Sequence, residues 1–371
     1  MNRLTVIQAL PALNTGGVER GTVEVAAELV RRGHRSIVVS AGGELLDELR
    51  SCGSEHIALP IGKKSLTTLK YISQLRQICS ANTASVLHAR SRLPAWISYL
   101  AWKGMAPSVR PRFVTSVHGP YSVNYYSKIM TSGERVIAVS AFIRSYIEEN
   151  YPDVDRKRIT VIPRGVSKSD YPYGYRPDTA WMQQWSSQHP ELQGKILITL
   201  PGRLTRWKGQ EDFLSIFSGL PDNIPLHGLI VGGPHPRKLR YLDELKTRAR
   251  ELGVEHRVTF AGHRTDLKKI MSISTIVVSL SGEPEAFGRT VLEALCLGIP
   301  VIAYAHGGAG EILERVFPDG MVSCHDTSAV KDRILQFLQQ RPVVPDQNPF
   351  TLQSMLDSTM NVYEALARTS S

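Results

Sequence analysis

A chain of 371 residues with 42% hydrophobic residues is long and apolar enough for two or three folded domains, which excludes a mainly disordered protein. The sequence has no run of about 18 apolar residues, so no transmembrane helix is predicted. The first residues fit a β-strand better than a signal peptide. The four cysteines lie far apart without C-x-x-C spacing, and the net charge is +10. We therefore expect a cytoplasmic protein with anionic partners and no disulfide scaffold.

The first part of the chain alternates short β-branched runs with segments whose apolar residues recur about every 3.6 residues. Strands are predicted at residues 4–8, 36–40, 56–59, 85–88, 113–117, 135–139 and 159–162, and helices at 19–32, 65–80 and 141–150. This alternation is typical of a doubly wound parallel sheet.

Residues 167–194 interrupt the pattern with three prolines, which predicts a linker and a short surface helix. The alternation then resumes, with strands predicted at 195–200, 226–231, 257–261, 275–279 and 300–303, and helices at 209–218, 238–252, 289–297, 329–339 and 352–367. We predict an α/β fold of two doubly wound Rossmann-like domains, at 1–170 and 171–350, with a last helix in 351–371. Two such domains facing across a cleft suit transfer chemistry between two substrates.

Two predicted strand-to-helix turns carry features that bind phosphate. Gly16 and Gly17 precede the first helix, where glycine lets backbone N–H groups approach an anion, although a simple tight turn is equally consistent. The segment PGRLTRWKGQ places Arg203 and Lys208 around a short loop, and this pair suits a diphosphate. Gly232 follows another strand end. A nicotinamide site is disfavoured, because G-x-G-x-x-G is absent.

The segment SGEPEAFGRTVLEALCLGIPVIA has the most specific pattern. Gly288 can start a helix, so Arg289 and Thr290 would present N–H groups at its N-terminus. Glu285 precedes this turn and Glu293 follows one turn into the helix. Carboxylates accept hydrogen bonds from sugar hydroxyls, so the segment would suit a ligand with a sugar, a diphosphate and a ribose.

Together these motifs resemble glycosyltransferase family 4, the retaining GT-B transferases. The resemblance extends over almost the whole chain, in order. Its motifs are Gly16-Gly17, PGRL at 201–204, Lys208-Gly209, EAFG-x₄-EA at 285–294, HG at 118–119, VIAVS at 136–140, VIPRGV at 161–166 and AHGGAGE at 305–311. The stretch from residue 118 to 140 looks most like the lipopolysaccharide-core sugar transferases within the family.

The resemblance implies a role for each matching residue. The C-terminal domain would bind a UDP- or GDP-hexose as substrate without a cofactor, and the last helix would cross back onto the N-terminal, acceptor-binding domain. His118, Arg203, Lys208 and Glu285 are the expected catalytic residues. Arg203 and Lys208 would hold the diphosphate, and we expect both to be exposed. The expected donor-binding residues are Gly16, Gly17, Arg203, Lys208, Gly232, Glu285 for the sugar hydroxyls, Phe287, Gly288, Arg289, Thr290 and Glu293 for the ribose.

The acceptor is predicted from charge. Residues 1–170 hold 23 Lys and Arg against 13 Asp and Glu, whereas residues 171–371 hold 21 of each. No acid occurs between Glu55 and Glu134, a window with ten basic residues. We expect an anionic glycolipid acceptor at the inner face of the cytoplasmic membrane, with Arg90, Arg92, His118 and Asn124 as acceptor-binding residues. The aromatic segment 92–105 would lie on the headgroups or pack as a helix on the sheet.

Other functions and a metal site have less support. The one D-x-D, at Asp153 and Asp155, stands far from any phosphate motif, so we expect no bound metal. A nucleotide-sugar epimerase and a non-catalytic GT-B binding protein remain alternatives. We expect no nucleic-acid partner, because no nucleic-acid-binding module is recognisable.

Overall fold

The computed structural model describes residues 3–14, 16–233 and 240–368. The chain divides into two compact units. One runs to Gly165 and continues from Leu352, and the other is Val166–Thr351. Each unit is built on one parallel β-sheet.

The first unit contains a seven-stranded sheet in the order β3-β2-β1-β4-β5-β6-β7. The strands are β1 Thr5–Ala9, β2 Arg35–Ser40, β3 Glu55–Ala58, β4 Val86–Ala89, β5 Arg112–Val117, β6 Arg135–Ala138 and β7 Ile159–Val161. Its helices are α1 Gly17–Arg31, α2 Leu46–Ser51, α3 Tyr71–Ala81, α4 Arg92–Lys103, α5 Tyr125–Lys128, α6 Ala141–Asn150 and α14 Leu352–Arg368. The helix α14 packs Met355, Met360 and Tyr363 into a cluster with Val6 and Leu29.

The second unit contains a six-stranded sheet in the order β10-β9-β8-β11-β12-β13. The strands are β8 Ile196–Pro201, β9 Leu226–Val231, β10 Val258–Gly262, β11 Ile276–Ser279, β12 Val301–Tyr304 and β13 Met321–Val322. The described helices are α7 Thr179–Gln188, α8 Gln210–Ser218, α9 Arg240–Glu251, α10 Leu267–Ser272, α11 Arg289–Cys296, α12 Gly307–Val316 and α13 Thr327–Gln339.

The strand orders identify where each unit can bind a ligand. In an open parallel sheet, the crevice opens beyond the carboxyl ends of the two strands at which the strand order reverses. In the first unit these strands are β1 and β4, and in the second they are β8 and β11. The loops after β8 and β11 carry Lys208 and Glu285, so two predicted site residues lie beside one switch point.

The predicted α/β class with two Rossmann-like sheets is confirmed, and the differences are local. The short strand β13 and the helix α12, whose first residues are glycines, were not predicted, because neither has a strong propensity signal. The helix predicted at 65–80 begins only at Tyr71, after a 3₁₀ turn at Leu66–Lys70. The start predicted for the helix at 238–252 lies outside the described residues, and α9 is described from Arg240.

Two segments outside the predicted strand–helix alternation form helices that pack on the sheets. The helix α4 buries Ala95, Ile97 and Ala101, and the indole N–H of Trp102 donates to the carbonyl of Pro111 at 2.7 Å. Packing against the fold therefore accounts for α4. The surface helix predicted in 167–194 is α7, and its Trp185 is buried against the second sheet.

Candidate active site

An ion pair between Lys208 and Glu285 joins the loops that follow β8 and β11. The Nζ of Lys208 lies 2.7 Å from Oε1 of Glu285, and both side chains are about 15% exposed. Gly209 makes this approach possible: its φ is 75°, and a Cβ there would lie 2.0 Å from the carbonyl oxygen of Leu280. The expectation that Lys208 is exposed is wrong, because this close approach packs its side chain against the neighbouring loop.

A chain of hydrogen bonds orients the Glu285 carboxylate. Ser281 donates its hydroxyl to Oε1 at 2.5 Å, and Nε2 of His306 lies 2.6 Å from the carbonyl oxygen of Ser281. Burial raises the pKa of Glu285, but the Lys208 ammonium and the bonds from Lys208 and Ser281 hold that pKa below its ordinary value. Both of these bonds end on Oε1, so Oε2 remains able to accept from a ligand hydroxyl.

Arg203 stands on the exposed side of the same loop. Its side chain is exposed and makes no ion pair with any residue in the described ranges. The neighbouring loop after β9 is pressed against it, since a Cβ on Gly232 would lie 1.9 Å from the carbonyl oxygen of Gly202. The loops that carry Arg203 and Gly232 are therefore in direct backbone contact.

The start of α11 brings together five more of the residues predicted to bind the donor. Gly288 is the N-cap residue, with a φ of 87°, and Arg289 pairs with Glu293 at 2.8 Å one turn later. Glu293 is 7% exposed. The first N–H groups of a helix, here including that of Thr290, have no intrahelical acceptor, so they can bind an anion. Phe287 differs from its neighbours, because its ring is buried edge-on against Phe350 and packs the core.

The glycines of the first unit begin α1. Gly16 is the N-cap residue in an extended conformation, and the helix starts at Gly17, around which a Cβ would meet nothing within 4 Å. Thr15, which precedes them, lies outside the described residues. The N-terminus of α1 is therefore uncovered on the side where a side chain at Gly17 would lie.

His118 follows β5 and lies, partly buried, beside a buried basic cluster in the first unit. Its Nδ1 lies 3.0 Å from a guanidinium nitrogen of Arg164. Arg90, which follows β4, is 3% exposed and donates to the side-chain oxygen of Gln8. Burial, Arg164 and Arg90 together lower the pKa of His118 well below its usual value. His118 is therefore a neutral imidazole at physiological pH.

The two remaining residues predicted to bind the acceptor have internal partners. The guanidinium of Arg92 lies over the rings of Tyr121 at 4.9 Å and Tyr126 at 5.5 Å. The side chain of Asn124 caps α5 by accepting from the N–H of Ser127 at 2.9 Å. Both residues thus hold the loop at 119–126 in place.

Sequence reasoning missed three residues of these networks. Ser281 and His306 orient Glu285, and Arg164 contacts His118. His306 lies in the AHGGAGE segment and Arg164 in the VIPRGV segment. These segments matched the order of the family's motifs, but nothing in them indicated which side chains would be in contact. A serine four residues before a carboxylate is too common to be a signal.

Neither a metal site nor a membrane span is found in the described ranges. No group of three or more His, Cys, Asp or Glu there could hold a metal ion. Asp153 pairs with Lys128 at 2.9 Å, and Asp155 accepts from the backbone N–H of Lys157 at 2.9 Å. Over residues 3–14, 16–233 and 240–368, every helix is too short or too polar to cross a bilayer.

The two Rossmann-like units and the residues beside the second switch point identify the protein as a transferase of the GT-B class. Residues 15–170 match Glycosyltransferase Family 4, and residues 182–349 match Glycosyl transferases group 1. The chain therefore belongs to the family 4 glycosyltransferases, which confirms the resemblance seen in its motifs.

Solved structures and curated relatives agree with this membership. A glycosyltransferase from Rickettsia africae is 29% identical with a TM-score of 0.85, covering 99% of each chain. HepE from Anabaena, solved with UDP and glucose, is 18% identical with a TM-score of 0.83, covering 98% of this chain and 100% of HepE, and shows the shared fold.

Among curated relatives, mannosylfructose-phosphate synthase of Agrobacterium fabrum is 33% identical over 48% of this chain and 39% of its own length. The lipopolysaccharide core mannosyltransferase LpsB of Rhizobium meliloti is 27% identical over 45% of this chain and 51% of its own length. The chain thus matches about half or less of these two relatives.

Proposed function

We propose that the protein is a retaining glycosyltransferase that moves a hexose from UDP- or GDP-hexose to a lipid-linked envelope glycan, the lipopolysaccharide core. One observation carries the donor assignment: Lys208 and Glu285 meet at 2.7 Å beside the β8–β11 switch point. An ammonium has three donors, so Lys208 can hold Glu285 and a phosphate oxygen together. Exposed Arg203 adds a second cation on the same loop.

In the proposed reaction the diphosphate leaves from the face that the acceptor hydroxyl enters. A leaving phosphate oxygen takes the hydroxyl proton while the bond to the sugar anomeric carbon breaks and the new glycosidic bond forms. Arg203, Lys208 and the N–H groups at the start of α11 neutralise the departing charge, which needs no metal ion. Glu285 binds sugar hydroxyls through Oε2, Glu293 binds the ribose, and His118 contacts the sugar or orients the acceptor.

The surface of the first unit supports an anionic, membrane-bound acceptor. Lys63, Lys64 and Lys70 are exposed around the 3₁₀ turn Leu66–Lys70, where Leu66 is 87% exposed and Leu69 is 53% exposed. Apolar side chains among lysines are typical of segments that enter an anionic headgroup layer. We propose that this turn, called the lysine–leucine turn below, docks the protein at the inner face of the cytoplasmic membrane. The similarity to LpsB supports a core glycan as acceptor.

A panel of donors tests the proposed function. A ligand that binds only the folded state raises the melting temperature, so UDP-, GDP- and ADP-hexoses are compared by thermal shift. We expect a UDP- or GDP-hexose to raise the melting temperature of the parent protein, and we expect the same donor to support hexose transfer to a core oligosaccharide. No shift with any donor would contradict the proposal.

A further inference from the structure

The contact between Arg164 and His118 determines which ring nitrogen of His118 carries the proton. A guanidinium has five N–H donors and no acceptor, so the lone pair of Nδ1, 3.0 Å away, must accept from it. In a neutral imidazole the proton then resides on Nε2. Burial and the nearby guanidinium groups of Arg164 and Arg90 oppose a second proton on this ring.

Among the described residues, none accepts a hydrogen bond from the protonated nitrogen. The Nε2 atom of His118 is buried and makes no hydrogen bond with any residue that the structure describes. A buried donor left without an acceptor is costly, so Nε2–H needs an acceptor from outside the chain, either a bound water or a ligand oxygen. An acceptor of suitable chemistry is a hydroxyl or ring oxygen of a sugar.

Two other elements hold the Arg164 guanidinium in position. A Cβ at Gly21 of α1 would lie 2.1 Å from Nη1 of Arg164, so this helix has room for the guanidinium only because residue 21 is glycine. The Sδ of Met355 in α14 lies 3.9 Å from the same nitrogen. Arg164 itself is 9% exposed.

We infer that Arg164 is a positioning residue that fixes His118 as a neutral hydrogen-bond donor, with Nε2–H directed to a sugar oxygen of the ligand. His118 in this state is not a general base, since its one lone pair is committed to Arg164. The identity of the ligand rests on the proposed function, whereas the state of the ring does not. The inference agrees with a leaving phosphate, and not His118, as the proton acceptor.

The ring state is measured by NMR on the free protein with ¹⁵N-labelled histidine, with His118→Gln used for assignment. We expect a pyrrole-type Nε2 and a pyridine-type Nδ1 in the parent protein. Gly21→Ala displaces the guanidinium without removing it, and Arg164→Met removes it, so both should give a mixture of tautomers. Arg164→Lys keeps a donor and should retain Nε2–H.

An Nδ1–H ring in the parent overturns the inference, as does an unchanged tautomer in both Gly21→Ala and Arg164→Met. Gly21→Ala is expected to fold, because alanine favours a helix and only the end of a flexible side chain must move. The parent spectrum by itself decides the tautomer if Arg164→Met does not fold.

Transfer kinetics test the role of the donor. The amide N–H of glutamine can take the place of Nε2–H but cannot act as a base. We expect His118→Ala to lower kcat about 100-fold and His118→Gln to lower it less than about 10-fold. Equal losses in the two variants overturn the donor role. Absence of transfer by the parent with every donor refutes the proposed function, while the NMR result still decides the ring state.

Discussion

Lys208 and Glu285 form a largely buried ion pair, 2.7 Å between Nζ and Oε1, although 77 residues separate them in sequence. The pair connects the loops of the two strands at which the sheet order reverses. Each partner compensates the burial of the other, so neither can be removed without a cost to folding. Arg203 has no such partner among the described residues. A substitution at Arg203 is therefore expected to affect activity but not stability, whereas one at Lys208 or Glu285 should affect both.

Arg203→Ala should lower transfer roughly 100- to 1000-fold, because a cation on the leaving diphosphate acts mainly in the transition state. The melting temperature should stay unchanged, since the side chain is exposed. Arg206→Ala is the matched control: it lies three residues away, is 70% exposed, and pairs with Glu211 and Glu244. Near-normal turnover of Arg203→Ala would show that Arg203 does not bind the diphosphate.

Glu285→Gln and Glu293→Gln should affect different parts of the donor. Glu293→Gln is expected to weaken binding of free UDP or GDP, through the ribose. Glu285→Gln is expected to spare free nucleotide but reduce transfer, because we propose that Glu285 contacts the sugar and not the nucleotide. Calorimetric titration of both variants measures the difference, and an equal loss of nucleotide affinity would refute this division of roles.

The Lys208–Glu285 pair predicts a pH dependence of stability. The pKa of Glu285 is lower in the folded protein than the ordinary 4.5, so its contribution is full above that value and is lost as the pH falls through the lowered pKa. Glu285→Gln should therefore reduce the free energy of unfolding by roughly 2 kcal/mol at neutral pH, as expected for a charged hydrogen bond.

This difference from the parent should shrink as the pH is lowered from about 7 to about 3. Urea unfolding of both proteins across that range measures it, and the other titrating groups cancel between the two proteins. A difference that does not change with pH would mean that Glu285 does not gain stability from its charge in the folded state.

Replacing Lys63, Lys64 and Lys70 by Gln should weaken flotation with anionic vesicles. Each lysine near an anionic surface contributes about 1 kcal/mol, so the triple variant should lose roughly 100-fold in affinity if all three face the membrane. The matched control replaces three exposed lysines of the second unit by Gln, namely Lys168, Lys195 and Lys246. Undiminished flotation of the first variant, or flotation of the parent that salt does not weaken, would exclude the lysine–leucine turn as the docking site.

The sequence was sufficient for the architecture because β-branched runs and helical spacing are local signals. It also predicted that Arg203 and Lys208 share one loop, because only four residues separate them just before a helix. It could not show that Lys208 is buried against Glu285, because that contact depends on the left-handed conformation of Gly209 and on the order of the strands.

The side-chain partners in the first unit could not be predicted from the sequence either. Arg92 and Asn124 were predicted to bind an acceptor from their types and positions. Their cation–π and capping contacts arise from how the loop at 119–126 folds back on α4 and α5. Arg164 reaches His118 across 46 residues, a distance at which no spacing rule applies.

The central claim, retaining hexose transfer at the Lys208–Glu285 site, is tested most directly by the anomeric configuration of the product. A UDP- or GDP-α-hexose is incubated with a core oligosaccharide, and the new glycosidic linkage is followed by proton NMR from the first turnover. Our account predicts an α-linked product from the parent and its near absence from Arg203→Ala. A β-linked product, or the same amount of product from both proteins, would contradict it.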